Sequence, residues 1–358
     1  MAENNPPIAK LGTAPSGTGQ ERRGILCAGN WIIDHVKTID VWPREETLAN
    51  ILAQERGTGG SAYNVAVDLA KFALGIPLAG LGLVGDDGDG RSIIEECRRL
   101  GIDGRCIRMV PDAPTSYTDV YTVHSTGRRT FFHNRGANRL LAPEHFPVAE
   151  ISSRVANLGY LLLLDGLDAE DREYGTKAAR VLATLQAAGI ITSIDVVSEE
   201  SDRFERIVTP ALKHADHCII NEIEAGRTTG HDLRPGGRLD RSAMACSAKE
   251  LLRRGVRRRV VIHAPELAYA REAEGEECWQ PAHMVPQVEI ASTVGAGDAF
   301  MAGTLVGIHE EWPVEKTLRF ANAAAVSCLG HPTTTGGVTS AHEIWQIAQR
   351  YPLRTLVG

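Results

Sequence analysis

GILCAGNWII (24–33), SAYNVAVDLAKFA (61–73), PLAGLGLVG (77–85) and GRSIIEECRRLG (90–101) decide the fold. Short apolar runs alternate with longer amphipathic segments, the pattern of buried strands alternating with helices, and Gly101 ends the second helix as a cap. The rhythm continues through YLLLLDG (160–166), TKAARVLATLQAAG (176–189), IITSIDV (190–196), a helix ending near His214, HCIIN (217–221), a helix near 242–255 and RVVIH (259–263). It predicts an α/β fold: a doubly wound, mostly parallel sheet with helices on both faces.

Two stretches break the rhythm. Residues 34–60 and 115–138 lack helical periodicity, and the second alternates around a Ser-Thr-Gly-Arg turn as a hairpin does. They predict lid insertions at about 35–58 and 115–137, forming a small β-sheet over the carboxyl edge of the main sheet, where open α/β folds bind ligands. Residues 1–22 read as a disordered tail, 23–345 as one domain and 346–358 as a C-terminal segment.

Composition narrows the function. With 38 Lys and Arg against 45 Asp and Glu, the net charge of −7 offers no general field for nucleic acid or an anionic membrane. Seven cysteines, none in C-x-x-C spacing, predict reduced thiols in a cytoplasmic protein without a zinc knuckle. The first residues have no apolar signal segment, and no apolar run reaches the roughly 20 residues of a membrane span. Three local patterns read as bland. Gly80-Leu-Gly82-Leu-Val-Gly85 satisfies G-x-G-x-x-G, yet carboxylates follow where a pyrophosphate would lie; Asp86–Gly90 is a polar turn without calcium-loop spacing; and the basic run 253–259 ends a helix in solvent.

There is no Gly-Lys pair and hence no Walker A loop. The candidate for phosphate chemistry is Ser292-Thr293-Val294-Gly295-Ala296-Gly297-Asp298, between the strand-like VEIAS and the apolar AFMAGTLVGIHE. Glycines at a strand-to-helix turn let the backbone approach an anion, and the first amides of the helix point at it. Asp298 can serve as a helix cap or as a carboxylate that takes a proton from an attacking hydroxyl.

G-A-G-D-A-F at 295–300, with G-G-S-A-Y-N-V-A (59–66), V-G-D-D-G-D-G (84–90) and N-E-I-E (221–224) in the same order and spacing, resembles the ribokinase-like or PfkB carbohydrate kinase family. RTFFHNRGANRLL (129–141) and FANAAAVSCLG (320–330) extend the resemblance, which runs from about Gly24 to about Gly337. It implies an ATP-dependent, Mg2+-requiring sugar kinase. Asp298 would be the base, and the amides of Gly295, Ala296 and Gly297 the anion hole. Asn221 and Glu224 would organise the metal and phosphates through water. Thr293 and Asn322, with Asn221 and the 295–297 turn, would bind the nucleotide. Asn30, Asp34, Gly59, Gly60 and Asn64 would form the sugar pocket, with Arg135 engaged where the substrate bears a carboxylate or phosphate and otherwise a solvated strand-end arginine. By residue chemistry alone, Asn221 and Glu224 serve equally as a helix N-terminus.

Two departures stand out. Ser292 replaces the family's usual aspartate beside a monovalent-cation site, which weighs against K+ dependence. His263-Ala-Pro-Glu-Leu-Ala268 replaces a glycine-bearing nucleotide loop, which weighs against tight ATP binding. The rival readings are a nucleoside kinase, whose base pocket would draw on Trp31, Trp42 or Phe132 near Asp34, and a non-catalytic sugar or nucleotide sensor. A homodimer through the lid is a further expectation.

Overall fold

Ile25–Gly29 (β1) is buried along its whole length, with alternate side chains entering a different core on each face. The computed structural model of the protein describes residues 22–356. From β1 the chain forms β2 (Ile32–Ile39) and β3 (Ile51–Gly59), then α1 (Ser61–Lys71), β4 (Leu78–Gly85), α2 (Gly88–Arg99) and β5 (Ile102–Val110). A second excursion makes β6 (Ser116–Val123) and β7 (Arg129–Asn134) before β8 (Val155–Leu161), the single turn α3 (Asp165–Asp168) and a two-residue ribbon of β9 (Glu170–Asp171) and β10 (Gly175–Thr176). There follow α4 (Lys177–Ala187), β11 (Ile191–Val196), α5 (Phe204–Leu212), β12 (His217–Asn221), α6 (Glu222–Thr229), α7 (Arg241–Arg253) and β13 (Arg259–His263). The meander β14 (Leu267–Glu272) and β15 (Glu277–Pro281) and the helices α8 (Ala296–His309), α9 (Val314–Leu329) and α10 (Ala341–Arg350) complete the chain.

The main sheet has nine strands in the order β15-β14-β13-β12-β11-β8-β1-β4-β5, parallel from β13 to β5 and antiparallel at β14 and β15. Leu26 and Ala28 face one core with Leu158, Ile194 and Ile220, whereas Ile25 and Cys27 face the other with Val65, Phe300 and Leu305. Burial on both faces is why these strands read as continuous apolar runs. Order reverses at β1, with β4 and β5 to one side and β8 to the other, which places a crevice at the carboxyl ends of the central strands. The four-stranded second sheet, β3-β2-β6-β7, comes from the two stretches without helical periodicity.

Several boundaries differ from expectation. The run 24–33 is two strands, because Gly29 at φ 127° turns the chain and a Cβ there would lie 2.0 Å from Gly159 O. The strand expected at 160–166 is β8, five residues earlier; Asn157 hid its start, and the leucines beyond it line a buried turn. VEIAS is no strand: Gln287–Glu289 forms a 3-10 turn. Arg22 donates to Ile151 O, so it is fastened to the domain, and residues 1–21 of the expected tail lie outside the described residues.

Gly80 and Gly82 have a packing explanation. A Cβ on them would lie 2.6 and 2.2 Å from the Trp31 indole, whose Nε1 donates to Leu81 O at 3.0 Å. Asp87 caps α2 and accepts from Thr115, as a polar turn should. The basic run near 253–259 is ion-paired and not simply solvated: Arg254 reaches Glu250 and Glu205, and Arg259 reaches Glu272.

Candidate active site

The carboxyl ends of four strands meet the first turn of α8. Tyr160 of β8, Asp195 of β11, Asn221 of β12 and His263 of β13 line a cavity of 150 Å³ with Glu224 and Asp298. Asp298 is 7% exposed and does not cap its helix. Gly295 is the N-cap residue, at φ 85°, and no side chain caps the helix there. The Asp298 carboxyl instead turns into the cavity, where Tyr160 Oη donates to Oδ1 at 2.6 Å and Asn64 Nδ2 to Oδ2 at 2.8 Å. Burial pushes its pKa up to about 6, against the lowering effect of both donors.

The turn preceding α8 depends on Gly295, since a Cβ there would lie 2.0 Å from Thr334 O. The Gly295, Gly297 and Asp298 amides have no acceptor among the described residues, which is the disposition of an anion hole. Ala296 differs from expectation, because its amide leans on Thr293 O at 3.4 Å.

Asn221 and Glu224 combine both readings made from the sequence. They form a capping box: Asn221 Oδ1 accepts from the Ile223 and Glu224 amides, and Glu224 Oε2 accepts from the Asn221 amide at 2.9 Å. Glu224 Oε1 also accepts from Ser198 at 2.7 Å. Both still line the cavity. Asp195 and Glu224 are shifted upward, by burial first and then, for Asp195, by the carboxyls of Glu224 and Asp298. Among the described residues no group of three or more His, Cys, Asp or Glu closes to coordinating distance. The carboxylates of Asp195 and Glu224, with Asn221 beside them, nevertheless fit a hard, water-retaining cation such as Mg2+, whose charge would offset the cost of burying these acids.

At the other end, Asn30 is fully buried; its Oδ1 accepts from the Tyr160 amide, and its Nδ2 has no partner. Asn64 Oδ1 is also unpartnered. Asp34 is pushed up to about 7 by burial, with Thr118 and Arg129 opposing the shift and Asp298 adding to it. Gly59 makes room for that carboxyl, since a Cβ would lie 2.3 Å from Asp34 Oδ1, and Gly60 packs against Asn30. Arg135 faces elsewhere: it donates to Asp165 Oδ1 at 2.6 Å and to Leu162 O. The cation on the Asp34 side is Arg129.

Of the residues expected to bind nucleotide, Thr293 is exposed beside the turn, where Ser292 Oγ accepts from the Val294 amide. Asn322 donates to Pro281 O at 3.1 Å, pinning α9 to β15. Residues 263–268 form a tight hairpin in which Ala264 N bonds Leu267 O, while Glu266 is gripped by both terminal nitrogens of Arg234. Sequence reading missed Tyr160, Asp195, Arg129 and His263. Asp195 could have been found as a carboxylate at the carboxyl end of an apolar strand. Tyr160 was concealed by the misplaced strand.

A family profile described as pfkB family carbohydrate kinase matches residues 25–341. An ATP-dependent ribose-1-phosphate kinase of Halopiger xanaduensis is 26% identical over 307 residues, covering 86% of this chain and 92% of that protein. Arabidopsis thaliana ribokinase is 27% identical over 335 residues, covering 92% and 79%. The solved structure of Arabidopsis thaliana ribokinase complexed with ribose and ATP has a TM-score of 0.75 at 21% identity, covering 92% of this chain and 99% of that one, a likeness of fold. With the profile spanning every strand of both sheets and the Asp298 turn, the chain belongs to the pfkB family of carbohydrate kinases, phosphotransferases that act on sugar hydroxyls.

Proposed function

We propose that the protein transfers the γ-phosphoryl group of ATP to a hydroxyl of a small sugar. The acceptor oxygen attacks the γ-phosphorus, the bond to the β-phosphate oxygen breaks, and the hydroxyl proton passes to Asp298. Two donors already occupy the Asp298 carboxylate, yet each oxygen keeps a further lone pair for that proton. The Gly295, Gly297 and Asp298 amides offset charge on the transferring group. Asp34, the free Nδ2 of Asn30 and the free Oδ1 of Asn64 offer an acceptor-donor set suited to vicinal hydroxyls. Mg2+, held by Asp195, Asn221 and Glu224 through water, supplies neutralisation of phosphate charge when bound.

The observation that carries this reading is the side chain of Asp298, in the first helical turn yet capping nothing and turned into a cavity beside unsatisfied amides. That also weighs against a non-catalytic sensor. A nucleoside acceptor is the second reading, favoured by Phe131, an exposed aromatic on the small-sheet face that carries Asp34. The aromatics named from sequence do not serve it: Trp31 is buried in the core, and Trp42 stacks on Phe132 on the opposite face, a surface that suits the expected homodimer. A cytoplasmic location is part of the reading, supported by seven unpaired cysteines. The test is ADP release from ATP and Mg2+ across pentoses, hexoses, keto-deoxy acids, sugar phosphates and nucleosides; no release with any of them rejects the kinase assignment.

A further inference from the structure

Arg129 opens β7 on the face of the small sheet that carries Asp34, Val36 and Val120, and with Val294 and Thr333 opposite these residues line a narrow seam of about 10 Å³, which a ligand enters only as the small sheet moves off the 294 and 333 segments. Its guanidinium is half-buried, yet it has no hydrogen bond and no ion pair among the described residues. Arg56 of the same small sheet holds Asp89, and Arg135 just beyond the end of β7 holds Asp165. Across the ladder from Arg129, the buried Thr122 Oγ1 is also without a partner. A partly desolvated guanidinium that lacks a partner is costly unless something occupies it. Asp34 is close enough for each to feel the other's charge but not to pair.

We infer that Arg129 recognises an anionic substituent, a phosphate or a carboxylate, on the acceptor, so that the acceptor is a sugar phosphate or sugar acid and not a neutral sugar. The inference rests on the kinase reading for the direction of the site: Asp34 marks the acceptor end. The cleft shares no lining residue with the cavity at Asp195 and Glu224 but adjoins the Gly295 turn through Val294 and Thr334, so the measurement on ATP separates an acceptor anion from the nucleotide's own phosphates. A guanidinium fork suits both anions, because each offers two oxygens in one plane.

The experiment is calorimetric titration of the full chain, without ATP, with ribose, ribose 1-phosphate and gluconate, on wild type, Arg129→Gln and Arg129→Lys. Steady-state kinetics for the same acceptors and for ATP accompany it. At least one anionic acceptor should bind wild type tighter than ribose by roughly 10- to 100-fold, the range of one charge-assisted contact. Arg129→Gln should abolish that preference and leave the KM for ATP unchanged, while Arg129→Lys should restore it in part. A wild type that prefers ribose, a preference that survives Arg129→Gln, or a loss that falls on ATP would overturn the inference. Phosphate and carboxylate are separated by which of the two anionic ligands binds. Because binding is read without turnover, an anion preference with no ADP release would reject the kinase reading and keep this one.

Discussion

Tyr160 Oη donates to Asp298 Oδ1 at 2.6 Å, joining the end of a central strand to the first turn of α8 across the switch in strand order. The bond favours the ionised carboxyl, while burial opposes it and holds the pKa near 6. A base acts only when ionised, so turnover of wild type should fall as pH drops through about 6. Tyr160→Phe removes a donor to the charged form. The acid limb of kcat/KM should therefore move upward by about one pH unit or more, from the worth of a hydrogen bond to a charged group. A pH profile of both proteins checks this; an unmoved limb would show that Tyr160 does not tune the base.

Asp298→Asn should lower kcat by roughly 10²- to 10⁴-fold. Because the variant also disturbs the bonds from Tyr160 and Asn64, its Tm is measured alongside, and the loss of kcat should persist at temperatures where the variant is fully folded. Near-normal turnover in this variant would remove Asp298 from the chemistry.

Asp34→Ala should weaken acceptor binding by about 1.5 to 3 kcal/mol, the value of hydrogen bonds to a charged group, with the KM for ATP unchanged. Calorimetric titration with the identified acceptor is the measurement, and equal affinity would exclude Asp34 from the pocket. Because the Asp34 pKa is pushed up to about 7, acceptor affinity should also weaken as pH falls below that value.

The buried acids predict an unusual stability profile. Asp34, Asp168 and Glu224 are raised to about 7 and Asp298 to about 6, all by burial first. The folded chain therefore retains protons that the unfolded chain releases near pH 4, and the contribution of these groups falls as pH rises from about 4 to 7. His133, His217 and His263, lowered to about 4, 3 and 4, act in the opposite sense below about pH 6.5, so the readout of thermal unfolding without ligands is a difference between proteins: Asp195→Asn should raise Tm relative to wild type more at pH 8 than at pH 5. Mg2+ should raise Tm more at pH 8 than at pH 5.5. Equal effects at the two pH values would argue against a cation among these carboxylates.

ATP should bind weakly. In the 263–268 hairpin the Ala264 amide is already bonded, Pro265 has none, and Glu266 is held by Arg234. The loss relative to a glycine-bearing loop should be about 1 to 3 kcal/mol, from one or two absent amide-phosphate bonds. A KM for ATP in the low-micromolar range would show that other amides compensate.

The alternation of apolar and amphipathic runs determined the parallel sheet and its flanking helices, because a strand buried on both faces must be apolar throughout. The order of G-G-S-A-Y-N, N-E-I-E and G-A-G-D named Asp298, Asn221 and Glu224 as candidates through its resemblance to the pfkB family, while local turn and cap chemistry alone left their roles open. Only the tertiary structure decided what those residues face. Asp298 meets Tyr160, 138 positions away, and Asn64, 234 positions away, and such pairings depend on strand order, not on spacing. The same holds for the arginines. Arg129 and Arg135 are six residues apart in one lid segment, yet Asp165 takes one and the Asp34 cleft faces the other. The alternation of a strand gives side chains a face, and only packing shows which face meets the site.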